Sequence, residues 1–182
     1  MRVSRLAIPD VALIEPQLFV DARGSFFESF NRREYEVALG RSIEFVQDNQ
    51  SYSTRGVLRG LHYQARRAQA KLIWVVMGEV FDVAVDLRRG SATLGKWVGE
   101  ILSAANKKQM WIPEGFAHGF VILSDAAEVL YKTTDYWVPE HERCIAWDDP
   151  QIGVDWRLDG MAPILSAKDQ RGTAFATAEM FD

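Results

Sequence analysis

Residues 71–87, KLIWVVMGEVFDVAVDL, contain two short apolar runs that meet at Met77-Gly78-Glu79. Such runs, bounded by turn residues, are typical of β-strands, and the intervening Gly78 predicts a hairpin between them. Similar runs recur at spacings of roughly 8–12 residues, as in a sandwich or barrel. They are EFVQDNQSYS, VLRGLHYQ, KWVGEIL, QMWIP, HGFVIL and EVLYKTTDYW. Many strands without alternating helices favour an all-β fold, a jelly-roll barrel, over a doubly wound sheet.

Two short helices are predicted, near residues 31–39 and 166–170. Asn31 can cap the first helix, Glu34 follows three residues later as in a capping box, and Gly40 ends it. Ser166 and Asp169 have the same capping-box spacing at the start of the second helix. Neither a repeat nor a linker interrupts the chain, so residues 1–182 are predicted to form one domain.

Composition excludes several classes of protein. A chain of 182 residues that is 48% hydrophobic is long enough to bury a core. Its 21 Lys and Arg against 25 Asp and Glu give a net charge of −4 without a basic run, which argues against nucleic-acid binding. No apolar run approaches the roughly 18 residues of a membrane span, and the N-terminus lacks a signal-peptide core. With one cysteine and no internal disulfide, the protein is predicted to be cytoplasmic and not membrane-bound.

The segment GVLRGLHYQ, residues 56–64, places an Arg and a His in an apolar strand. In a regular strand, Arg59 and His62 would point to opposite faces, because side chains alternate. A glycine inside a strand often marks a β-bulge, and a bulge at Gly60 would bring both side chains to one face. This segment therefore predicts a functional site.

Two further strands carry polar side chains on apolar faces. Lys71 shares a face with Ile73, and Tyr131 shares a face with Val129. Alternation alone does not show which face points inward. A lysine at a strand start is more often solvated, and a tyrosine in a strand is more often part of the core. An inward Lys71 would be costly to bury without a partner, so it would indicate function.

The chain has three histidines, His62, His118 and His141. His118 lies in IPEGFAHGF, which has the P-x-G-x-x-H pattern of the second cupin motif. Metal-binding cupins add an H-x-H pair and a Glu, and no H-x-H occurs here, while His141 falls in the polar segment VPEHERC. The sequence therefore predicts no metal. For His118, a hydrogen-bonded structural role and a catalytic role both remain open.

Seven segments in order from residue 21 to 169 resemble the dTDP-4-dehydrorhamnose 3,5-epimerase family. They are DARGSFFESF, QDNQSYSTRGVLRGLHYQ, KLIWVVMGEVFDVAVDLRRGSATLGKW, WIPEGFAHGF, YKTTDYW, WDDPQIGVDW and LSAKD. The resemblance implies a cupin-like jelly roll, no metal or cofactor, and a homodimer that exchanges its N-terminal arm. It implies epimerisation at C3 and C5 of dTDP-4-dehydro-6-deoxy-D-glucose to dTDP-4-dehydro-L-rhamnose, in dTDP-L-rhamnose biosynthesis.

The resemblance also implies roles for the catalytic residues. His62 is similar to the base of the family, and Asp169 to the carboxylate that orients it. Without the resemblance, the capping box would be the better interpretation of Asp169. Tyr131 is similar to the acid on the opposite face of the sugar. Lys71, with His118, would stabilise the negative oxygen of the enolate.

A larger set of positions resembles the substrate contacts of the family. These are Arg23, Glu28, Gln47, Asn49, Arg59, His118, Glu142 and Lys168. Arg23 and Glu28 would reach the site from the partner subunit. Taken singly, such polar residues are more often solvated surface positions. Phe19, Phe26 and Tyr136 are candidates to stack on thymine, and the choice among the aromatic residues stays open.

Two residues depart from the usual family pattern. Cys144 stands where a glycine is common, and Arg157 stands where a proline often follows the tryptophan. Both lie outside the catalytic set and bear on local loop shape. Three alternatives remain: an epimerase of one carbon only, a metal-dependent cupin, or a non-catalytic nucleotide-sugar binder.

Overall fold

A computed structural model describes residues 1–182 as thirteen strands, one α-helix and three short 3-10 helices. The strands are β1 Arg2–Arg5, β2 Ala12–Glu15, β3 Phe19–Asp21, β4 Gly24–Phe26, β5 Gln47–Thr54, β6 Leu58–Gln64, β7 Lys71–Met77, β8 Glu79–Asp86, β9 Trp97–Ser103, β10 Gln109–Ile112, β11 Phe116–Ile122, β12 Ala126–Thr133 and β13 Glu142–Cys144. Helix α1 spans Arg32–Leu39, and the 3-10 helices span Pro139–His141, Asp169–Arg171 and Phe175–Thr177. No helix is both long and apolar enough to cross a membrane.

The strands form two large antiparallel sheets that enclose the core. One sheet has the order β1-β2-β10-β7-β12-β5, and the other has the order β13-β6-β11-β8-β9. Strands β3 and β4 pair only with each other, as a separate hairpin. The predicted all-β fold class is confirmed.

The predicted hairpin between β7 and β8 is wrong. Strand β7 pairs with β10 and β12, whereas β8 pairs with β11 and β9, so both edges of each strand are occupied by other partners. Gly78 instead forms a corner where the chain passes from one sheet to the other. Its φ is +75°, and a side chain there would collide with the carbonyl of Ala126. The two apolar runs therefore line opposite walls of the barrel.

An apolar cluster of 16 buried residues packs in part of the space between the sheets. Ile73 and Val75 of β7 belong to it, together with Val80 and Ala84 of β8. The outer faces of the sheets are covered as well. Tyr35 and Leu39 of α1 pack on the six-stranded sheet, and the C-terminal segment, with Trp156, packs on the five-stranded sheet. Because β8 is buried on both faces, apolar residues occupy both sides of the strand.

Helical structure is present at both predicted positions. The Asn31 side chain accepts a hydrogen bond from the Glu34 N–H, and Gly40 ends α1 with a φ of 70°. The second helix is shorter than predicted, a single 3-10 turn at Asp169–Arg171. The Ser166 hydroxyl accepts from the Asp169 N–H at 3.2 Å, as the capping-box spacing predicts.

The bulge predicted at Gly60 is confirmed. His62 lies opposite His118 and Arg59 lies opposite Phe120, so β6 holds one residue more than β11 over this interval. Gly60 has a φ of +134°, and a Cβ atom there would lie 2.6 Å from the Cα of Gly119. The extra residue brings Arg59 and His62 to the same, inward face of the strand, where both line one cavity.

Arg157, which stands where the family often has proline, adopts a backbone conformation that proline cannot. Its φ is +55°, whereas proline is fixed near −65°, so a chain with proline here needs a different loop. The Arg157 guanidinium lies 4.6 Å from the ring centroid of Phe81, in a cation–π contact. The loop is thereby packed against the outer face of the five-stranded sheet.

Replacement of Gly60 tests the constraint at the bulge. Gly60→Ala combines a positive φ with a collision against Gly119, so it should lower the free energy of unfolding by at least about 1–3 kcal/mol. Gly90→Ala is the matched control, because a Cβ atom there would have no neighbour within 4 Å and its φ is not in the positive region. Urea unfolding measures both variants. Equal stabilities of the two would contradict the role assigned to Gly60.

Candidate active site

A cavity of about 350 Å³ lies between the two sheets. Nine of the residues predicted from the sequence line it, namely Gln47, Asn49, Arg59, His62, Lys71, His118, Tyr131, Glu142 and Lys168. The strands of both sheets contribute, since His62 lies on β6 and Tyr131 on β12. A ligand in the cavity is thus flanked by two different walls.

His62 and Asp169 form a hydrogen-bonded dyad. The His62 Nε2 atom lies 2.6 Å from Asp169 Oδ1, and the Asp169 side chain is only 3% exposed. The Gly60 N–H donates to the same oxygen at 3.3 Å, and the Ser166 hydroxyl donates to Oδ2 at 2.5 Å. The bulge and the 3-10 turn therefore hold the carboxylate from two sides.

Asp169 is both part of a capping box and the partner of His62. Its backbone N–H is capped by Ser166, and its carboxylate is the partner of His62. The capping box fixes the start of the turn, and the turn directs the carboxylate at the imidazole. The cap is thus part of what positions the dyad.

Burial of the dyad favours a neutral imidazole at His62. Burial opposes ionisation of Asp169, but the hydrogen bonds from His62 and Ser166 prevail and lower its pKa to about 2. Burial lowers the pKa of His62, and the positive charges of Lys168 and Lys71 lower it further, against the effect of Asp169. With Nε2–H donating to Asp169, the lone pair of the neutral ring resides on Nδ1. His62 is therefore able to accept a proton near neutral pH.

Tyr131 enters the cavity from the opposite sheet. It shares the inward face of β12 with Val129, which is fully buried in the core. Burial raises the pKa of the Tyr131 phenol. The hydroxyl is consequently protonated at neutral pH and is available as a proton donor.

Lys71 points inward, so its interpretation as a solvated residue is wrong. The side chain lies in the cavity wall with the residue only 8% exposed, and burial lowers its pKa to about 8. The negative charges of Asp82 and Glu142 oppose that shift. An ammonium group with few water contacts is a strong donor to a developing negative oxygen.

His118 has the hydrogen-bonded role that the sequence left open, and it also lines the cavity. Its Nε2 atom lies 2.9 Å from Asp82 Oδ2, and Asp82 is fully buried. Sequence reasoning missed Asp82, although a signal was present. It shares a face with the apolar residues Val80 and Ala84, and a carboxylate on such a face needs a buried partner.

Six further residues of the cavity were missed: Ser51, Tyr63, Gln64, Gln69, Phe120 and Trp137. Trp137 is the exposed aromatic of this set, at 53%, and its backbone N–H donates to Gln47 Oε1 at 3.0 Å. Gln64 accepts from the next N–H, that of Val138, at 2.6 Å. Of the aromatics considered for stacking, neither Tyr136 nor the two phenylalanines lines this cavity. The position of Trp137 depends on backbone hydrogen bonds that no motif encodes.

Two polar contacts at the cavity are already formed without a ligand. Lys168 Nζ lies 3.0 Å from Glu142 Oε1, and the Arg59 guanidinium donates to Ser53 Oγ at 2.9 and 3.0 Å. The hydroxyl of Ser51, by contrast, is buried without a hydrogen-bond partner in the protein. Buried polar groups are normally paired, and this hydroxyl lines the cavity, where it is available to a ligand.

Arg23 and Glu28 do not line this cavity. Arg23 lies on the turn between β3 and β4, where it pairs with Asp21 at 2.6 Å. Glu28 accepts a hydrogen bond from the Asn31 side chain at 3.2 Å. Both predicted contacts lie on an exposed segment outside the site of their own chain.

Residues that can hold a cation occur at the dyad itself. Ligand atoms of His62, Cys144 and Asp169 lie within 4.8 Å of one another. Burial raises the pKa of the Cys144 thiol to about 11, and the neighbouring Asp169 adds to this shift. The thiol is therefore protonated and a poor nucleophile at neutral pH.

Comparison with known proteins agrees with this geometry. The sequence profile described as dTDP-4-dehydrorhamnose 3,5-epimerase matches residues 5–177. A dTDP-4-dehydrorhamnose 3,5-epimerase of Pseudomonas aeruginosa is 66% identical over 181 residues, covering 100% of this chain and 99% of the relative. The chain belongs to the dTDP-4-dehydrorhamnose 3,5-epimerase family.

Solved structures of dTDP-sugar epimerases share the fold. An epimerase of Legionella pneumophila in complex with dTDP-4-keto-L-rhamnose superposes with a TM-score of 0.94 at 51% identity, covering 97% of this chain and 93% of that one. A 3'-monoepimerase of Streptomyces bikiniensis in complex with dTDP-quinovose gives 0.90 at 33% identity, covering 96% and 88%. The family fold, a cupin-like jelly roll, is thus confirmed. The same fold occurs in an epimerase that acts on two carbons of the sugar and in a monoepimerase.

The protonation of His62 provides a direct test of the dyad in this family member. Its pKa should lie below the usual 6.5, because burial and two lysines disfavour the imidazolium. Asp169→Asn removes the carboxylate that favours the imidazolium, so the pKa should fall further. NMR titration of the histidine ring measures both, with Asp125→Asn, an exposed carboxylate outside the cavity, as control. A His62 pKa that rises in Asp169→Asn would contradict the electrostatics described.

Proposed function

We propose that this protein epimerises dTDP-4-dehydro-6-deoxy-D-glucose at C3 and C5 to dTDP-4-dehydro-L-rhamnose, in the biosynthesis of dTDP-L-rhamnose. One observation carries the proposal. The histidine of a histidine–aspartate dyad and a partly buried tyrosine line one cavity from opposite sheets. Inversion of a carbon requires a base on one face of the ring and an acid on the other. The two walls of the barrel supply that pair.

The C4 ketone makes the chemistry accessible to side chains. It acidifies the hydrogens on C3 and C5, so that a base can remove one and leave an enolate. Return of a proton to the opposite face inverts the carbon. Each step is a proton transfer without net oxidation, so the proposal includes no cofactor.

His62 is the base in this scheme. The Nδ1 lone pair of the neutral ring takes the proton from the sugar, and the imidazolium is stabilised by the ionised Asp169. Because the pKa of Asp169 is near 2, the carboxylate keeps its charge throughout the reaction. Asp169 thus orients the ring and favours its charged form without accepting the proton.

Tyr131 is the acid on the other face. Burial keeps its hydroxyl protonated until the enolate is formed. Lys71 and His118 stabilise the negative charge on the C4 oxygen, and both are held in place before it develops. The buried carboxylate of Asp82 positions His118 for this role.

The remaining polar residues of the cavity bind the nucleotide. The Arg59 guanidinium and Lys168 are suited to the diphosphate, because a charged donor forms strong hydrogen bonds with phosphoryl oxygens. Glu142 pairs with Lys168 and fixes its ammonium group. Gln47 and Asn49 are already hydrogen-bonded to each other, at 2.8 Å, on the cavity face of β5. Trp137 is the aromatic best placed to stack on thymine.

The contacts from Arg23 and Glu28 require a second subunit. The hairpin of β3 and β4 presents Phe19, Val20 and Phe26 to solvent, with Val20 76% exposed. An apolar surface of this kind is typical of an interface. In the proposed homodimer the hairpin is exchanged, and it delivers Arg23 and Glu28 to the nucleotide bound by the partner. Residues 1–182 then form one jelly-roll domain with an exchanged arm.

The mono-epimerase is the second candidate function, since a relative at 33% identity is such an enzyme. A mono-epimerase requires the same base and acid. The two functions differ in whether the hydrogen of one sugar carbon or of two exchanges with solvent. A non-catalytic binder does not account for a base and an acid on opposite walls. A cytoplasmic location stays a prediction from the sequence.

Proton NMR in deuterium oxide tests the activity. The chelator-treated protein should introduce deuterium at both C3 and C5 of dTDP-4-dehydro-6-deoxy-D-glucose, and adding a downstream reductase should yield dTDP-L-rhamnose. Label at one carbon would indicate a mono-epimerase. Absence of exchange with folded protein would overturn the enzyme proposal and favour a binding protein.

His62→Ala links the exchange to the dyad. The exchange rate should fall roughly 10²–10⁴-fold, the usual contribution of a general base. Binding of dTDP, measured by calorimetry, should remain, since the nucleotide contacts lie elsewhere in the cavity, and it also shows that the variant folds. His141→Ala, a histidine outside the cavity, is the control and should keep the wild-type rate.

Sedimentation tests the homodimer. The wild-type protein should sediment as a dimer, and the double variant Phe19→Ser, Phe26→Ser should shift toward the monomer because the exchanged hairpin loses its apolar contacts. Val37→Ser is the matched control, an exposed apolar residue of α1 outside the hairpin. A wild-type monomer at micromolar concentration would refute the proposed arm exchange.

A further inference from the structure

The single cysteine of the chain lies beside the catalytic dyad. Cys144 of β13 is directly opposite His62 of β6, so the two side chains project from the same face of the sheet. Its Sγ atom is 4.0 Å from Asp169 Oδ1. The three ligand atoms, one from each of His62, Cys144 and Asp169, all lie within 4.8 Å of one another. The proposed reaction uses His62 and Asp169 and assigns no task to the thiol.

This donor set fits a soft divalent cation. Thiolate, imidazole and carboxylate are the three ligand types of protein Zn²⁺ sites, with bonds of about 2.0–2.3 Å. Tetrahedral geometry then separates the ligand atoms by roughly 3.3–3.8 Å. The imidazole and carboxylate, 2.6 Å apart, must separate by about 1 Å, and the sulfur must approach by a similar distance. Such shifts are within reach of side-chain rotation.

The surroundings already support one of the ligands and leave another free to move. The Asp169 carboxylate is held by the Ser166 hydroxyl and by the Gly60 N–H, and partners of this kind orient metal ligands. The thiol has only long contacts, to the carbonyls of Gly60 at 3.8 Å and Ile145 at 3.6 Å. It is therefore free to turn toward a cation.

We propose that His62, Cys144 and Asp169 form an inhibitory binding site for a soft divalent cation, best suited to Zn²⁺. Thiolate ligation selects Zn²⁺ over Mg²⁺. The positive charges of Lys168 and Lys71 act at His62 and oppose the binding of a cation. The binding itself is independent of the proposed function, whereas the inhibition rests on it.

The protons displaced by the metal explain the inhibition. On binding, the Cys144 thiol loses its proton to solvent and its sulfur bonds to the metal. The metal also replaces the hydrogen on His62 Nε2, and the ring takes up a proton at Nδ1, so that one proton is released per ion. Nδ1 then has no lone pair for the sugar. The same event that fills the site therefore removes the base.

Cobalt is a direct probe of the binding. Titration of metal-free, reduced protein with Co²⁺ should produce one near-ultraviolet thiolate-to-cobalt absorption band per chain, and added Zn²⁺ should abolish it. Because Cys144 is the only cysteine, the band reports this site alone. The variant Cys144→Ser should show no band. Absence of the band in folded wild-type protein would overturn the proposal, whatever the activity of the protein.

Deuterium exchange into the dTDP-sugar tests the inhibition. Zn²⁺ should stop exchange by the wild-type protein, a chelator should restore it, and Mg²⁺ at the same concentration should have no effect. For Cys144→Ser, normalised to its own metal-free rate, half-inhibition should require roughly 10–100-fold more Zn²⁺. Equal sensitivity of the two proteins would overturn the proposal. If the metal-free wild type shows the cobalt band without any exchange, the proposed function fails and the cation site stands.

Discussion

The close approach of two glycines is the constraint on which the site depends. A Cβ atom at Gly60 would lie 2.6 Å from the Cα of Gly119, so neither strand can carry a side chain where β6 and β11 cross this point. The bulge that this contact allows turns Arg59 and His62 to one face and points the Gly60 N–H at Asp169. One local irregularity therefore sets the orientation of His62, its carboxylate partner and the Arg59 guanidinium together.

The sequence predicted the fold class and the bulge at Gly60 because both have local signatures, whereas most of the cavity residues were predicted from the resemblance to the family. Strand periodicity, the caps at Asn31 and Gly40 and the glycine in VLRGLHYQ are properties of short segments. The wrong hairpin at Gly78 shows the limit of such signals. A glycine between two strands fits a hairpin and a corner between sheets equally well, and the partners that decide between them come from distant parts of the chain.

The residues that sequence reasoning missed depend on tertiary packing. Asp82 is a carboxylate among apolar residues of β8. Its partner becomes known only from the pairing of β8 with β11, which places His118 beside it. Trp137 is positioned by amide side chains of Gln47 and Gln64 from other strands. Alternation left Lys71 ambiguous, because the choice of inward face belongs to the assembled sheets.

The corner at Gly78 has a consequence for how such an enzyme can diversify. It joins the two walls at one end of the barrel, where Val75 and Val80 belong to the packed core. Lys71 lies at the other end of β7, next to the cavity. Stability and chemistry thus occupy opposite ends of the same strands. A substitution near Lys71 changes the wall of the cavity, whereas a substitution near Gly78 acts on the packing between the sheets.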